Sequence, residues 1–173
     1  MDLLSGKIPL NKIDLVVVVD VQEHYSRIIH NGSNEMFLYN VKQILKYFDK
    51  NDVKIIFVEF ADSGMTLPEV YDIIEKRTQK IICTKYTVGA FDSGDFKDIL
   101  EKESQSSENV LMLGLENNYC LLETVKKGLE LKYNVVISYD LMTGSDYLYD
   151  SAKVVYKKCL TLDYIFKSFK KVA

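Results

Sequence analysis

The sequence predicts an α/β fold: a single-domain, three-layer α/β/α architecture with a mostly parallel sheet of about six strands and helices on both faces. Three observations predict it. Apolar runs recur along the 173-residue chain, several of them continuous and rich in β-branched residues, as in strands buried on both faces. Segments with helical apolar spacing lie between them. Strand and helix patterns alternate throughout, the mark of a doubly wound, Rossmann-like sheet.

The elements follow in order. Leu15–Val19 is a fully apolar run closed by Asp20. Residues 36–50 place Phe37, Val41, Ile44, Leu45 and Phe48 on one helical stripe. Residues 53–58 form a second strand, closed by Glu59, and 80–83 a shorter third. Phe96, Ile99 and Leu100 give a short helix; residues 110–113 form a strand closed by Gly114. Residues 119–132 put Leu122, Val125 and Leu129 on one helix face, and 135–139 form a strand closed by Asp140. Residues 153–156 are a weaker sixth strand, and Leu162, Ile165, Phe166 and Phe169 mark a C-terminal helix. There is no internal repeat or low-complexity linker.

Composition narrows the function. The formal charge is −3, with no basic block, which argues against a nucleic-acid surface. No window approaches the ~20 apolar residues that span a bilayer. Residues 1–9 lack a signal-peptide layout. Cys83, Cys120 and Cys159 are odd in number and widely spaced, so neither a disulfide framework nor a zinc ribbon fits. The expectation is a soluble, cytoplasmic protein with no nucleic-acid or membrane partner.

In an open α/β sheet the ligand crevice lies beyond the carboxyl ends of the strands, so residues distant in sequence converge there. The chain has no GxGxxG, P-loop or GxSxG motif. His24 and His30 lack a helical metal-ligand spacing and read as loop residues, with His24 near the rim. Cys120 falls at the start of a predicted helix, capped by Asn117 or Asn118. There the helix dipole should depress the thiol pKa and backbone N–H groups could hold an oxyanion. Cys120 is therefore either a nucleophile or a small buried hydrophobe. Cys83 reads as core packing and Cys159 as incidental. Asp20, ending a central strand, is either a turn cap or a general base with a raised pKa. Lys85 is either a solvated charge or a cation that supports a thiolate.

These residues and their surroundings resemble one family. Val19-Asp20-Val21-Gln22 is similar to an Asp-x-Gln block after a buried strand. Lys85-Tyr86-Thr87-Val88-Gly89-Ala90-Phe91 is similar to a lysine followed by a small residue and phenylalanine. Gly114-Leu115-Glu116-Asn117-Asn118-Tyr119-Cys120-Leu121, followed by Glu123-Thr124, is the most specific block. In this order, across roughly residues 13–145, the chain resembles the isochorismatase-like cysteine hydrolases, which include nicotinamidases and N-carbamoylsarcosine amidohydrolases.

The resemblance implies an Asp20, Lys85 and Cys120 triad that cleaves a small amide, imide or ureido C–N bond through a thioester. It also implies a cis peptide joining Leu115 and Glu116. Oxyanion donors would be the N–H groups of Cys120 and of Glu116 or a neighbour. Asn117, Tyr119, Gln22, Tyr25 and Phe91 are the further candidates for contact with substrate or oxyanion. The partners implied are a small-molecule substrate and further copies of the chain, as a dimer or tetramer. No metal or other cofactor is implied: residues 59–65 lack the histidine of the metal cluster in nicotinamidases. Cys120 argues against isochorismate, whose cleavage needs no cysteine. Asn117 stands where the family usually has threonine, and residues 143–153 are short for the family's usual helix before the last strand. Aromatic bulk from Tyr25, Tyr86, Phe91 and Tyr119 also motivates an alternative, a catalytically silent binding or assembly module of the same fold.

Overall fold

The computed structural model describes residues 6–29, 34–75, 80–92, 94–104, 108–144 and 148–163. Its centre is a sheet of seven strands: β1 (Lys7–Pro9), β2 (Leu15–Val19), β3 (Lys54–Phe60), β4 (Lys80–Lys85), β5 (Asn109–Gly114), β6 (Asn134–Ile137) and β7 (Leu160–Asp163). Their spatial order is β1-β7-β6-β5-β2-β3-β4, and every pairing is parallel. Six helices are described: α1 (Ser26–Ile29), α2 (Glu35–Lys50), α3 (Pro68–Tyr71), α4 (Gly94–Glu103), α5 (Cys120–Glu130) and α6 (Asp150–Tyr156).

The strand pleat sorts the core into two layers. Val16, Val18, Ile55, Phe57, Leu111, Leu113 and Val136 pack on one face beneath the α2 stripe of Phe37, Val41, Ile44, Leu45 and Phe48, joined by Val70 of α3. The alternate residues Leu15, Val17, Val19, Ile56, Val58, Val110 and Met112 pack on the other face. They meet Phe96 and Leu100 of α4, Leu121 and Val125 of α5, and Ala152 and Tyr156 of α6. Both faces of β2 are covered, which is why its sequence is continuously apolar.

The sheet has seven strands where the apolar runs predict about six. Three- and four-residue strands at β1 and β7 are too short to register as runs. Residues 153–156, read as a strand, lie in α6: Tyr156 is buried while Val154 is exposed, so only one face of the segment is covered. Leu162, placed on a C-terminal helix, is instead a buried residue of β7; Ile165, Phe166 and Phe169 lie outside the described residues.

The order places the site. Chain progression runs outward from β2 through β3 to β4 on one side, and from β5 through β6 to β7 on the other. The reversal lies between β2 and β5, and it is beyond the carboxyl ends of the strands at such a reversal that sheets of this kind bind ligands. Gly114 permits the close approach there. Its φ is 139°, and a Cβ at that position would stand 2.1 Å from Val19 O.

Candidate active site

Three side chains meet at this reversal. Asp20 leaves β2 in the left-handed region, φ 57°, with its N–H donating to Val58 O at 3.0 Å. That conformation is uncommon for a non-glycine residue, and Asp is among those that tolerate it best. Lys85 is the last residue of β4 and reaches across β3. Its Nζ lies 2.7 Å from Asp20 Oδ2, with both side chains fully buried. The same Nζ donates to Val88 O at 2.8 Å and sits 5.3 Å from the Phe60 ring centroid. Desolvating two charges is costly unless they pair, so the short contact is what allows both to be buried. Both Asp20 oxygens lack a well-aligned donor, which makes this an ion pair more than a hydrogen bond and keeps lone pairs available for a proton.

Cys120 is the first residue of α5 and is partly buried; its thiol lies close enough to Asp20 and Lys85 for both to act on it. Burial pushes the thiol pKa up to about 11, and Asp20's negative charge adds to the rise while Lys85 opposes it. The expected depression at a helix start is therefore overturned: desolvation and the adjacent carboxylate outweigh the dipole. Burial likewise holds Asp20 above the ordinary carboxylate value, against the pull of Lys85.

The chain matches the isochorismatase domain over residues 14–157. The chain belongs to the isochorismatase family. No curated protein matches it. Among solved structures it is similar to the MAR1 ribonuclease from Caenorhabditis elegans, at TM-score 0.70 and 19% identity over 91% of this chain and 80% of that one. It is also similar to N-carbamoylsarcosine amidase from Thermoplasma acidophilum, at 0.68 and 16% over 91% and 98%. For the nicotinamidase from Staphylococcus aureus the values are 0.69 and 14% over 85% and 97%. At such identities these likenesses show the isochorismatase fold.

The turn that leads into Cys120 differs from the expectation. The peptide bonds of the described residues are all trans, so the cis bond expected between Leu115 and Glu116 is not found. Positive φ at Gly114 (139°) and Glu116 (58°) makes the turn instead. The helix N-cap is Tyr119, not Asn117 or Asn118. Asn118 Oδ1 accepts from Tyr149 N–H at 2.8 Å, and Asn117 uses its N–H on Thr143 O at 3.2 Å and its O on the Tyr156 hydroxyl at 2.7 Å. The N–H groups of Cys120 and Glu116 make no hydrogen bond among the described residues, so they are available as anion donors.

The remaining sequence candidates fall mostly outside this cluster. Gln22 is buried and braces backbone: Nε2 donates to Phe60 O (3.0 Å) and Gly64 O (2.6 Å), while Oε1 accepts from Phe60 N–H (2.7 Å). With both amide hydrogens engaged it fixes the end of β3. Phe91 packs edge-on against Phe96 at 4.8 Å and belongs to the core. Tyr25 packs on the opposite core layer, edge-on to His24. Tyr119 is half exposed beside Cys120, its hydroxyl 3.2 Å from that of Tyr149. Cys159 is buried at the foot of α6 rather than incidental. His30 lies outside the described residues.

The site also uses residues that periodicity does not reveal. Thr124 Oγ1 donates to Cys120 O (2.7 Å) and accepts from Ala90 N–H (3.2 Å), tying the loop after Lys85 to the helix of Cys120. Tyr156 and Thr143 hold the turn before Cys120 through Asn117. Pairing of Thr124 with the Lys85 loop depends on two segments 34 positions apart, so no local pattern announces it. A nicotinamidase-type metal does not fit residues 59–65: Glu59 accepts from Thr66 N–H and Oγ1 at 2.7 and 2.8 Å, and the loop itself contains no histidine.

Proposed function

We propose that this isochorismatase-family chain hydrolyses a C–N bond of a small amide, imide or ureido compound through a Cys120 thioester. The observation that carries the reading is the buried Asp20–Lys85 pair, 2.7 Å apart, with the Cys120 thiol close enough to feel both charges. Because the thiol's pKa stands near 11, it rests protonated at neutral pH. Its proton therefore leaves as sulfur attacks, passing to Asp20, rather than beforehand. Lys85 stabilises Asp20 as the carboxylate that can accept it. The N–H groups of Cys120 and Glu116 support the oxyanion, amine departs, and water releases the acid.

Two similar structures are an N-carbamoylsarcosine amidase and a nicotinamidase, which supports an amide over an ester or vinyl ether as substrate. The test is intact-mass spectrometry after exposure to a panel of small amides that includes nicotinamide and N-carbamoylsarcosine. An acyl adduct on Cys120, absent in Cys120→Ala together with turnover, is the expected result. Full turnover by Cys120→Ala would contradict the reading. Assembly as a dimer or tetramer belongs to the same proposal; a mass of 19.9 kDa by light scattering at micromolar concentration removes it.

A further inference from the structure

Thr124 is fully buried on α5, four residues after Cys120 and on the same helix face. The thioester chemistry leaves its hydroxyl without a task, yet both halves of that group are engaged. Oγ1 donates to Cys120 O at 2.7 Å and accepts from Ala90 N–H at 3.2 Å. Ala90 is itself fully buried, so its N–H cannot turn to water instead. The first bond stays within the helix; the second reaches a separate segment, the loop that follows β4.

That loop turns back on the site. It starts at Lys85, and its Val88 carbonyl accepts from Lys85 Nζ at 2.8 Å. Thr87 Oγ1 and Asp92 N–H both donate to Gly89 O, at 3.1 and 3.3 Å, which stiffens the bend between Val88 and Ala90. The buried ammonium thus has two anchors: Asp20 Oδ2 at 2.7 Å, from the end of β2, and Val88 O, from its own loop. Lysine carries its charge on a flexible stem with rotatable donors. One acceptor lets the ammonium pivot, whereas two on different elements fix it at a point. The second anchor is only as firm as the loop, and Thr124 fastens the loop to α5.

We infer that the Thr124 hydroxyl is a positioning group of the site: it seats the loop after β4 on the helix of Cys120, so that Val88 O holds the Lys85 ammonium at a set place relative to Asp20 and the sulfur. Without the hydroxyl, Ala90 N–H is buried and unpaired, a costly state that the loop relieves by moving toward water and taking Val88 O with it. The inference deepens the thioester reading and rests on it, since there Lys85 keeps Asp20 in the form that accepts the thiol proton.

The test compares wild type with Thr124→Val, which keeps the shape and loses the hydroxyl, and with Thr124→Ser, which keeps the hydroxyl. Intact mass follows two rates: alkylation of Cys120 by iodoacetamide at pH 8 and its acetylation by p-nitrophenyl acetate. Burial and Lys85 act on the thiol in opposite directions, so the sign is informative. Merely loosening α5 admits water, lets the thiol pKa fall toward its ordinary 9.0 and speeds alkylation. Displacing Lys85 raises the pKa and slows alkylation. Thr124→Val is expected to alkylate about tenfold more slowly, the equivalent of one pKa unit, and to acetylate about 10- to 100-fold more slowly, with Thr124→Ser close to wild type. In an Asp20→Asn, Lys85→Met background, Thr124→Val should leave alkylation untouched, because the pair it positions is gone. Thr124→Ala, which leaves room for water at Ala90 N–H, serves where Thr124→Val fails to fold and should slow both rates by less. Wild-type or faster alkylation without the hydroxyl, a loss in Thr124→Ser as large as in Thr124→Val, or equal slowing with and without the Asp20–Lys85 pair overturns the inference and leaves the thioester standing. A wild-type protein that shows no acetylation of Cys120 removes the thioester reading and the inference with it.

Discussion

At the scale of single residues, the site is governed by desolvation. Cys83 and Cys159 are buried, with thiol pKa values raised to about 11 and about 12; Cys120 is partly exposed but raised to about 11 by burial and by Asp20. Iodoacetamide should therefore label only Cys120 in the native protein, and at neutral pH more slowly than a free cysteine, because the thiolate is the reactive form. Asp20→Asn removes a negative charge that raises the thiol pKa and retains Lys85, which lowers it. Labelling at pH 7–8 should then accelerate, by about tenfold for each unit the pKa falls, while amide turnover is lost. The pH–rate profile of alkylation reads this directly; an unchanged profile in Asp20→Asn would show that the carboxylate does not act on the thiol. In the wild type, Asp20 must be ionised to accept a proton, so turnover should decline as pH falls through its raised pKa.

Between elements, what matters is how closely β2 and β5 approach before they diverge. Gly114 sits at that divergence with no room for a side chain: a Cβ would overlap Val19 O at 2.1 Å, and φ is 139°. Gly114→Ala must push apart the strands that carry Asp20 and the Cys120 turn. A loss of about 2–4 kcal/mol in urea unfolding is expected, with turnover reduced even where the protein remains folded. Wild-type stability in Gly114→Ala would mean that the turn relaxes without moving β2. The same reasoning explains Thr124, whose hydroxyl links the loop after β4 to α5 and so couples Lys85 to Cys120 across the sheet.

For the whole molecule, the Asp20–Lys85 pair exchanges stability for chemistry. Lys85→Met should cost on the order of 3–5 kcal/mol, because it strands a buried carboxylate. The double variant Asp20→Asn with Lys85→Met should recover most of that loss while staying inactive. Chemical denaturation of the three proteins checks this, and a double variant no more stable than Lys85→Met would refute it. The pH dependence has a definite sign. A carboxyl held above its ordinary value of 3.8 binds its proton more tightly folded than unfolded. Asp20's contribution is therefore full below 3.8 and is lost as pH rises through its folded pKa, a decline that the double variant should lack.

The order of strands and helices was legible because burial on both faces leaves a continuous apolar run, as at Leu15–Val19, and a one-sided helix leaves a stripe, as in α2. Asp20, Lys85 and Cys120 were legible as candidates because Asp20 closes such a run and the other two lie shortly after one, Cys120 at the start of a helical stripe. Short edge elements escaped, since three or four residues at β1 and β7 carry no period. The hydrogen-bond partners of Gln22, the packing of Phe91, the form of the turn before Cys120 and the direction of the Cys120 shift were decided only in three dimensions. Hydrogen-bond partners and desolvation depend on what other segments bring within a few ångströms, and that proximity is a property of the packed chain.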